Sequence, residues 1–300
     1  MKRFFLRHRT KFIGLAFVSP WIIGFLIFTV YPIAETLRYS FSNVRFLLKG
    51  ITLDPVGFNN YVNILFQDAM FKLALPGYIT LLFSFVPMSL VFSILLALLL
   101  NTKIRFRKFF RAVFFLPVII VSGPVIGNLR AMDAATIKGL SQFPVYRFIA
   151  EYFPGLVASP ILYIFDNAVL ILWFCGVQIL VFLSGLQKMD RNIYEAAMVD
   201  GASGWQQFWK LTIPTLIPFF FLNAIYSIVD VSMSSLNPII ILIKQGLFET
   251  NQGFGFSAAA TWIFFLIILL TVFIAFLLFG RDNDLAAPSM KKGKLKSRNV

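Results

Sequence analysis

The chain has 300 residues and a mass of 34.1 kDa, with 59% hydrophobic and only 13% charged residues. A mean hydropathy of +0.82 excludes a water-soluble domain, and the composition also excludes a disordered chain, a collagen-like fibre and a disulfide scaffold. The formal charge of +14 would suit a nucleic-acid partner in a soluble protein, but the basic residues here fall in short clusters between apolar runs, the pattern of membrane topology.

Crossing about 30 Å of hydrocarbon takes roughly 20 apolar residues, and six stretches qualify. The first, Phe12 to Ala34, follows a basic tail over 1–11; it is longer than a signal-peptide core and ends in Val30, Tyr31, Pro32 and Ile33 with no small-residue cleavage pattern, so it is expected to stay as a membrane helix. The second runs from Leu73 to Leu100 and the third from Ala112 to Leu129. The third is the shortest and carries Pro117, Gly123, Pro124 and Gly127, which reads as either a broken helix or a tilted span. The fourth, Ile161 to Ser184, holds the single cysteine, Cys175, which reads as a small packing residue. Thr215 to Ile243 and Ala258 to Phe279 complete the set, with a second basic tail over 281–300.

Of the 27 Lys and Arg residues, 19 lie in the stretches Lys2 to Lys11, Asn101 to Arg111, Gln187 to Pro214 and Gly280 to Val300. The positive-inside rule puts that side, and with six spans both termini, in the cytoplasm. The opposite loops, Glu35 to Lys72, Arg130 to Pro160 and Lys244 to Ser257, are too short for independent enzymatic domains.

One basic-side segment, Gln187 to Pro214, is long and patterned enough to fold. Asp190 or Asn192 is placed to cap a short helix through Tyr194 to Val199, and Gly201 is placed to stop it in a left-handed conformation. A second amphipathic turn, Gly204 to Leu211, carries Trp205, Phe208 and Trp209 before Pro214 opens the fifth span. On periodicity alone this reads as an interfacial connector anchored by aromatics.

The residues themselves say more. Tyr194, Glu195, Ala196 and Ala197, then Asp200, Gly201 and Ala202, then Pro214 and Pro218, resemble the cytoplasmic loop of permease subunits from binding-protein-dependent ABC importers. The match falls where that family has it, between the fourth and fifth of six spans. The resemblance extends to Phe17 through Phe25 with Tyr31 and Pro32, to Gly57, Phe58, Asn59, Asn60 and Tyr61, to Phe109, Phe110 and Arg111 with Leu116 and Pro117, and to Gly255 through Trp262. These stretches are similar to carbohydrate permeases of the maltose or glycerol-phosphate transporter type.

The resemblance implies an all-α integral membrane fold of six transmembrane helices over 12–280, with a core over about 73–280 that carries the loop 187–214. It implies that this loop couples to a separate ATPase, with Glu195 as the polar contact, Ala196 and Ala197 permitting close approach, Gly201 turning the chain, and Asp200 and Gly204 completing the motif. It further implies a second homologous permease, two ATPase subunits that use ATP and Mg, an extracellular solute-binding protein, a sugar or oligosaccharide cargo, and residence in a bacterial or archaeal plasma membrane. The chain departs from the family pattern in the length of Arg130 to Pro160, in Pro76, Gly77 and Tyr78 early in the second span, and in Ser232, Ser234 and Ser235 ahead of Asn237 and Pro238.

Polar residues inside apolar runs need protein or water around them. Asp230 has three readings, a cavity or packing role, substrate contact, or proton coupling. Asn223 and Tyr226 share its helical face by spacings of three and four, and together these residues would suit either sugar recognition or helix–helix contact. Asp166 and Asn167 read as an interfacial cap at the start of the fourth span. No catalytic constellation emerges: His8 is the only histidine, no metal-ligand cluster or Gly-x-x-x-x-Gly-Lys phosphate loop is present, and the tail Lys291 to Arg298 reads as solvated rather than nucleic-acid-binding. The expectation is a non-enzymatic ABC-importer permease that binds no cofactor itself; an ion-coupled secondary transporter or a non-transport scaffold are the alternatives.

Overall fold

The computed structural model describes residues 2–47, 50–102, 109, 112–113, 142–249 and 253–279. The third apolar stretch beyond residue 113 and the basic tail 281–300 lie outside them. The described residues form two compact units, one built from those up to Leu75 with Ile241–Ile267, the other from Pro76–Ile240 with those from Ile268 onward.

In the first unit, α1 (Lys2–Phe25) passes through a π-turn at Leu26–Val30 into α2 (Tyr31–Ser40) without a break. The helix runs past the expected end at Ala34, and the π-turn at Leu26–Val30 stands just ahead of Pro32, whose ring removes a helical N–H. None of the residues in its most apolar window is buried by the rest of the chain. An antiparallel hairpin follows, β1 (Ser42–Leu47) with β2 (Gly50–Pro55), pairing Val44 with Leu53 and Ser42 with Pro55. Among the described residues this hairpin is the departure from the expected all-α fold.

After it, α3 (Asn59–Val62) and a π-turn at Asn63–Gln67 lead to α4 (Ala69–Asn101). Asp68 caps α4, its carboxylate accepting from the Phe71 N–H at 2.6 Å. The motif Gly57 to Tyr61 is structural: the Asn60 amide donates to the Ser40 and Ser42 carbonyls at 3.0 and 3.2 Å, and the Tyr61 hydroxyl pairs with Ser40 Oγ at 2.7 Å. Phe41, Phe58 and Tyr61 pack ring on ring beside them.

In the second unit, α5 (Pro144–Tyr152) precedes α6 (Gly155–Asp166), α7 (Ala168–Phe174) and α8 (Gly176–Lys188), which carry the fourth apolar stretch. That stretch is broken twice, against the expectation of one span from Ile161 to Ser184. At Asn167 the side-chain amide donates to the Tyr163 carbonyl at 2.9 Å, and the backbone leaves helical geometry (φ −107°, ψ 10°). The second break, at Cys175, precedes Gly176, a poor helix former.

After α8 come α9 (Arg191–Val199), α10 (Gly204–Gln207), a π-turn at Phe208–Thr212, α11 (Ile213–Met233), α12 (Pro238–Gly246) and α13 (Gly253–Phe279). The helical runs Ile13–Ser40, Ala69–Asn101, Gly204–Gly246 and Gly253–Phe279 are long and apolar enough to cross a membrane. They fall on the first, second, fifth and sixth expected stretches.

In the second unit α8 and α11 pack closely. A Cβ on Gly185 would stand 2.8 Å from Leu216 Cδ2 and 2.9 Å from the Phe219 ring, so glycine sets the approach of the two helices. Phe182 meets Phe220 edge-on with centroids 4.7 Å apart, and the Lys188 ammonium lies 5.6 Å from the Phe219 centroid.

In the first unit Gly255 on α13 is tighter still, since a Cβ there would collide with the Ser42 carbonyl oxygen, a backbone atom fixed by β1. Gly255→Ala is therefore expected to lower thermal stability in detergent by about 1–3 kcal/mol equivalent. Gly24→Ala, where a Cβ meets nothing within 4 Å, should be neutral or slightly stabilising in the same melt.

Candidate functional site

Two constructions in the second unit concentrate the polar chemistry, the loop between α8 and α11 and the polar contacts along α8 and α11 themselves.

The loop begins where Asp190 takes an extended conformation (φ −70°, ψ 124°) and its carboxylate accepts from the Asn192 N–H at 3.0 Å, so Asp190 rather than Asn192 caps α9. The helix ends because Gly201 adopts φ +79°: its N–H donates to the Met198 carbonyl at 3.1 Å and the Ala202 N–H donates to the Ala197 carbonyl at 2.9 Å, the two bonds of a Schellman stop. Ser203 then opens α10 with a reciprocal cap. The Gln206 N–H donates to Ser203 Oγ at 3.3 Å and the Ser203 N–H donates to Gln206 Oε1 at 2.9 Å. Every turn of the loop is thus set by a local side chain or a glycine.

Glu195 is exposed and paired with Arg191 at 3.1 Å, an i,i+4 contact that adds only about 0.3–0.5 kcal/mol. Ala196, Asp200, Gly201 and Gly204 are exposed, and Ala197 is half-buried. Around them stand bare apolar side chains, Val199 at 88% exposure with Met198, Trp205 and Trp209. Trp205 and Phe208 each meet Trp209 edge to face, with centroids 5.7 and 5.2 Å apart, and Trp205 lies tilted against Phe208.

What joins this surface to the membrane helices is Tyr194. Its hydroxyl pairs with Thr212 Oγ1 at 2.8 Å and lies 3.1 Å from the Met189 sulfur, tying the middle of α9 to the last residue before α11. The pair borders an open cleft of about 490 Å³ that also reaches Asn101, Gln187 and Arg191.

Between the helices, the Gln178 amide donates to Ser227 Oγ at 3.0 Å, Ser89 Oγ donates to the same oxygen at 3.2 Å, and the Asn223 amide donates to the Gln178 carbonyl at 3.3 Å. Gln178, Asn223 and Ser227 are buried, and the side-chain oxygens of Gln178 and Asn223 have no hydrogen-bond partner among the described residues. Asn223 therefore turns toward α8. Tyr226 is 38% exposed and Asp230 half-buried one turn further along α11. The sequence reading missed Gln178; its one signal was an uncharged amide inside an otherwise apolar run. Among the described residues no three His, Cys, Asp or Glu side chains come together as a metal site.

Long apolar helices joined by a capped, partly exposed loop define a multi-pass membrane protein. The family described as the binding-protein-dependent transport system inner membrane component matches residues 78–283, and the chain belongs to it: it is the permease subunit of an ABC importer. The chain is similar to the probable ABC transporter permease YesP of Bacillus subtilis, 28% identical over 88% of this chain and 89% of that protein. It is equally similar to the lactose transport system permease LacF of Rhizobium radiobacter, 28% identical over 89% and 92%. A solved bacterial alginate ABC transporter chain shares the fold, with a TM-score of 0.66 at 20% identity over 93% of this chain and 98% of that one.

Tyr194→Phe keeps the ring and deletes the hydroxyl. We expect amide hydrogen exchange across 191–199 to quicken severalfold relative to the parent chain, with exchange in the buried part of α8 unchanged.

Proposed function

We propose that this permease carries a sugar or oligosaccharide, delivered by an extracellular solute-binding protein, through a path assembled with a second homologous permease and energised by two ATPase subunits. The observation that carries the coupling role is the loop: α9 presents Glu195, Met198 and Val199 to a partner while Tyr194 ties the same helix to the start of α11. A displacement imposed on α9 would reach α11 through that tie and the backbone of the following turn. Glu195, Ala196 and Ala197 form the contact with the ATPase, with Asp200, Gly201 and Gly204 shaping the turn beside it.

Sugar as cargo is supported by the relatives, whose names include lactose, multiple-sugar and arabinooligosaccharide transport permeases. Hydroxyl, amide and carboxylate groups on α11 suit such a solute; of Asn223, Tyr226 and Asp230, the two less buried, Tyr226 and Asp230, are assigned to contact with it along the translocation path, and Asn223, bonded to α8, to holding the wall of that path. The domain reading is a six-span permease over 12–280, its core over about 73–280 holding the loop 187–214. Basic tails over 1–11 and 281–300 lie with both termini in the cytoplasm, as the distribution of Lys and Arg supports. In this alternating-access scheme ATP and Mg are used by the partner ATPases, which close on the loop and open the spans toward the binding protein; hydrolysis returns the inward-facing state.

The test is ATP-driven uptake by vesicles holding the assembled transporter. Glu195→Ala leaves only a weak surface pair unmade, so the chain should still insert while uptake falls at least about tenfold, in line with a lost charge-assisted contact of 1.5–3 kcal/mol. Gly201→Val forces a β-branched residue to φ +79° and should release the ATPase on co-purification. Normal uptake by both variants would remove the coupling assignment.

A further inference from the structure

Away from the loop and the polar helix pair, α5 shows one face that the described chain leaves open. Val145, Phe148 and Tyr152 lie along it at 60%, 54% and 70% exposure, with Phe143 and Phe153 exposed at its two ends. The Phe148 ring lies 5.0 Å from that of Tyr152 and meets Phe153 edge-on at 6.1 Å, so the aromatic face is assembled before anything covers it. Arg147 and Glu151 lie on the adjoining strip of the helix surface, and half-buried Tyr146 and Ile149 on the side toward the rest of the chain. Residues 145, 148 and 152 repeat at spacings of three and four, which marks an amphipathic helix.

Where this face stands follows from the helices beside it. Phe153 and Pro154 alone separate α5 from α6, and the Tyr146 hydroxyl donates to Asp166 Oδ2 at 3.3 Å, so the two helices fold back on each other with their base at Asp166 and Asn167. From that base α7 and α8 run from Ala168 to Lys188. At 1.5 Å per residue that path, bent at Cys175, is at most roughly 31 Å, about one hydrocarbon thickness. Lys188 adjoins the loop that begins at Met189, so a span over Ala168–Lys188 would set the α5–α6 hairpin at the other face of the membrane, at headgroup depth.

An aromatic, amphipathic helix at that depth matches the interfacial belt of membrane proteins. With one Arg and one Glu on its polar side, it gains nothing from anionic lipid, so its attachment rests on apolar area alone. We propose that α5 is an interfacial helix whose Val145, Phe148 and Tyr152 face is embedded in the lipid headgroup–acyl boundary, clamping the outer end of the fourth apolar stretch to the bilayer. This inference rests on membrane placement and not on the cargo or the coupling assignment.

The test places single cysteines on the full chain, co-expressed with its partner subunits and reconstituted in phosphatidylcholine vesicles. Val145→Cys, Phe148→Cys and Tyr152→Cys report the apolar face, and Arg147→Cys and Glu151→Cys the polar one. Each carries an environment-sensitive fluorophore and is read with acyl-chain spin-label lipids and with aqueous iodide. Cys175 is wholly buried, and labelling of the parent chain sets its background. Lipid quenching at 145, 148 and 152 should exceed that at 147 and 151 by at least about twofold, with the reverse order for iodide, and should not change with high salt or added anionic lipid. Equal quenching on both faces would overturn the proposal. So would shielding of 145, 148 and 152 from both quenchers, which would mark a protein interface, or their loss of lipid quenching when the soluble binding protein is added.

Discussion

Helices in hydrocarbon are not driven together by the hydrophobic effect, because lipid tails solvate an apolar side chain as well as another helix does. What joins α8 to α11 is therefore close fit and hydrogen bonding. Gly185 lets Leu216 and Phe219 reach the α8 backbone, and further along the same pair Ser227 gathers donors from both Gln178 and Ser89. Such interhelical bonds are worth about 0.6 kcal/mol on average, so their effect here is to set register. With α8 and α11 in register, the loop between them has fixed ends, and its caps and its glycine stop can hold α9 against Thr212.

Two of the segments that read differently from the family pattern, Pro76 to Tyr78 and Ser232 to Pro238, are connected in space. Tyr78 on α4 pairs through its hydroxyl with Ser232 Oγ on α11 at 2.7 Å. A Cβ on the neighbouring Gly77 would lie 3.2 Å from the Pro238 ring, at the start of α12. Asn237 closes the turn between α11 and α12, its amide donating to the Ser232 carbonyl at 2.7 Å and its side-chain oxygen accepting from the Ile239 N–H at 3.0 Å. Two unusual segments far apart in sequence thus form one contact: a larger, hydroxyl-bearing residue at 78 is met by a small hydroxyl at 232, and a glycine at 77 makes room for a proline at 238.

Family motifs in this chain divide by what they do. Asn60 and Tyr61 hold the junction of α2 with the hairpin, and Gly255 is small because the Ser42 carbonyl leaves no room for a side chain. These are packing requirements of the fold. The loop motif is different, because its glutamate and its bare apolar residues make few contacts within the chain and are presented outward.

Much of this was legible in the chain itself. Apolar runs of span length, the asymmetry of Lys and Arg and the Gly201 stop are local properties, set by bilayer thickness, insertion electrostatics and the φ preference of one residue, and each needs only neighbours in sequence. The hairpin, the breaks at Asn167 and Cys175, and the role of Gln178 were not legible, because each depends on a choice of partner. An asparagine in an apolar run continues a helix or breaks it according to which carbonyl its amide finds, and a glutamine is a packing fault or a register pin according to what stands opposite. Sequence alone determined a membrane permease with a capped loop on its basic side; tertiary structure decided which polar groups meet, since in an apolar medium a polar side chain takes its meaning from the one group close enough to pair with it.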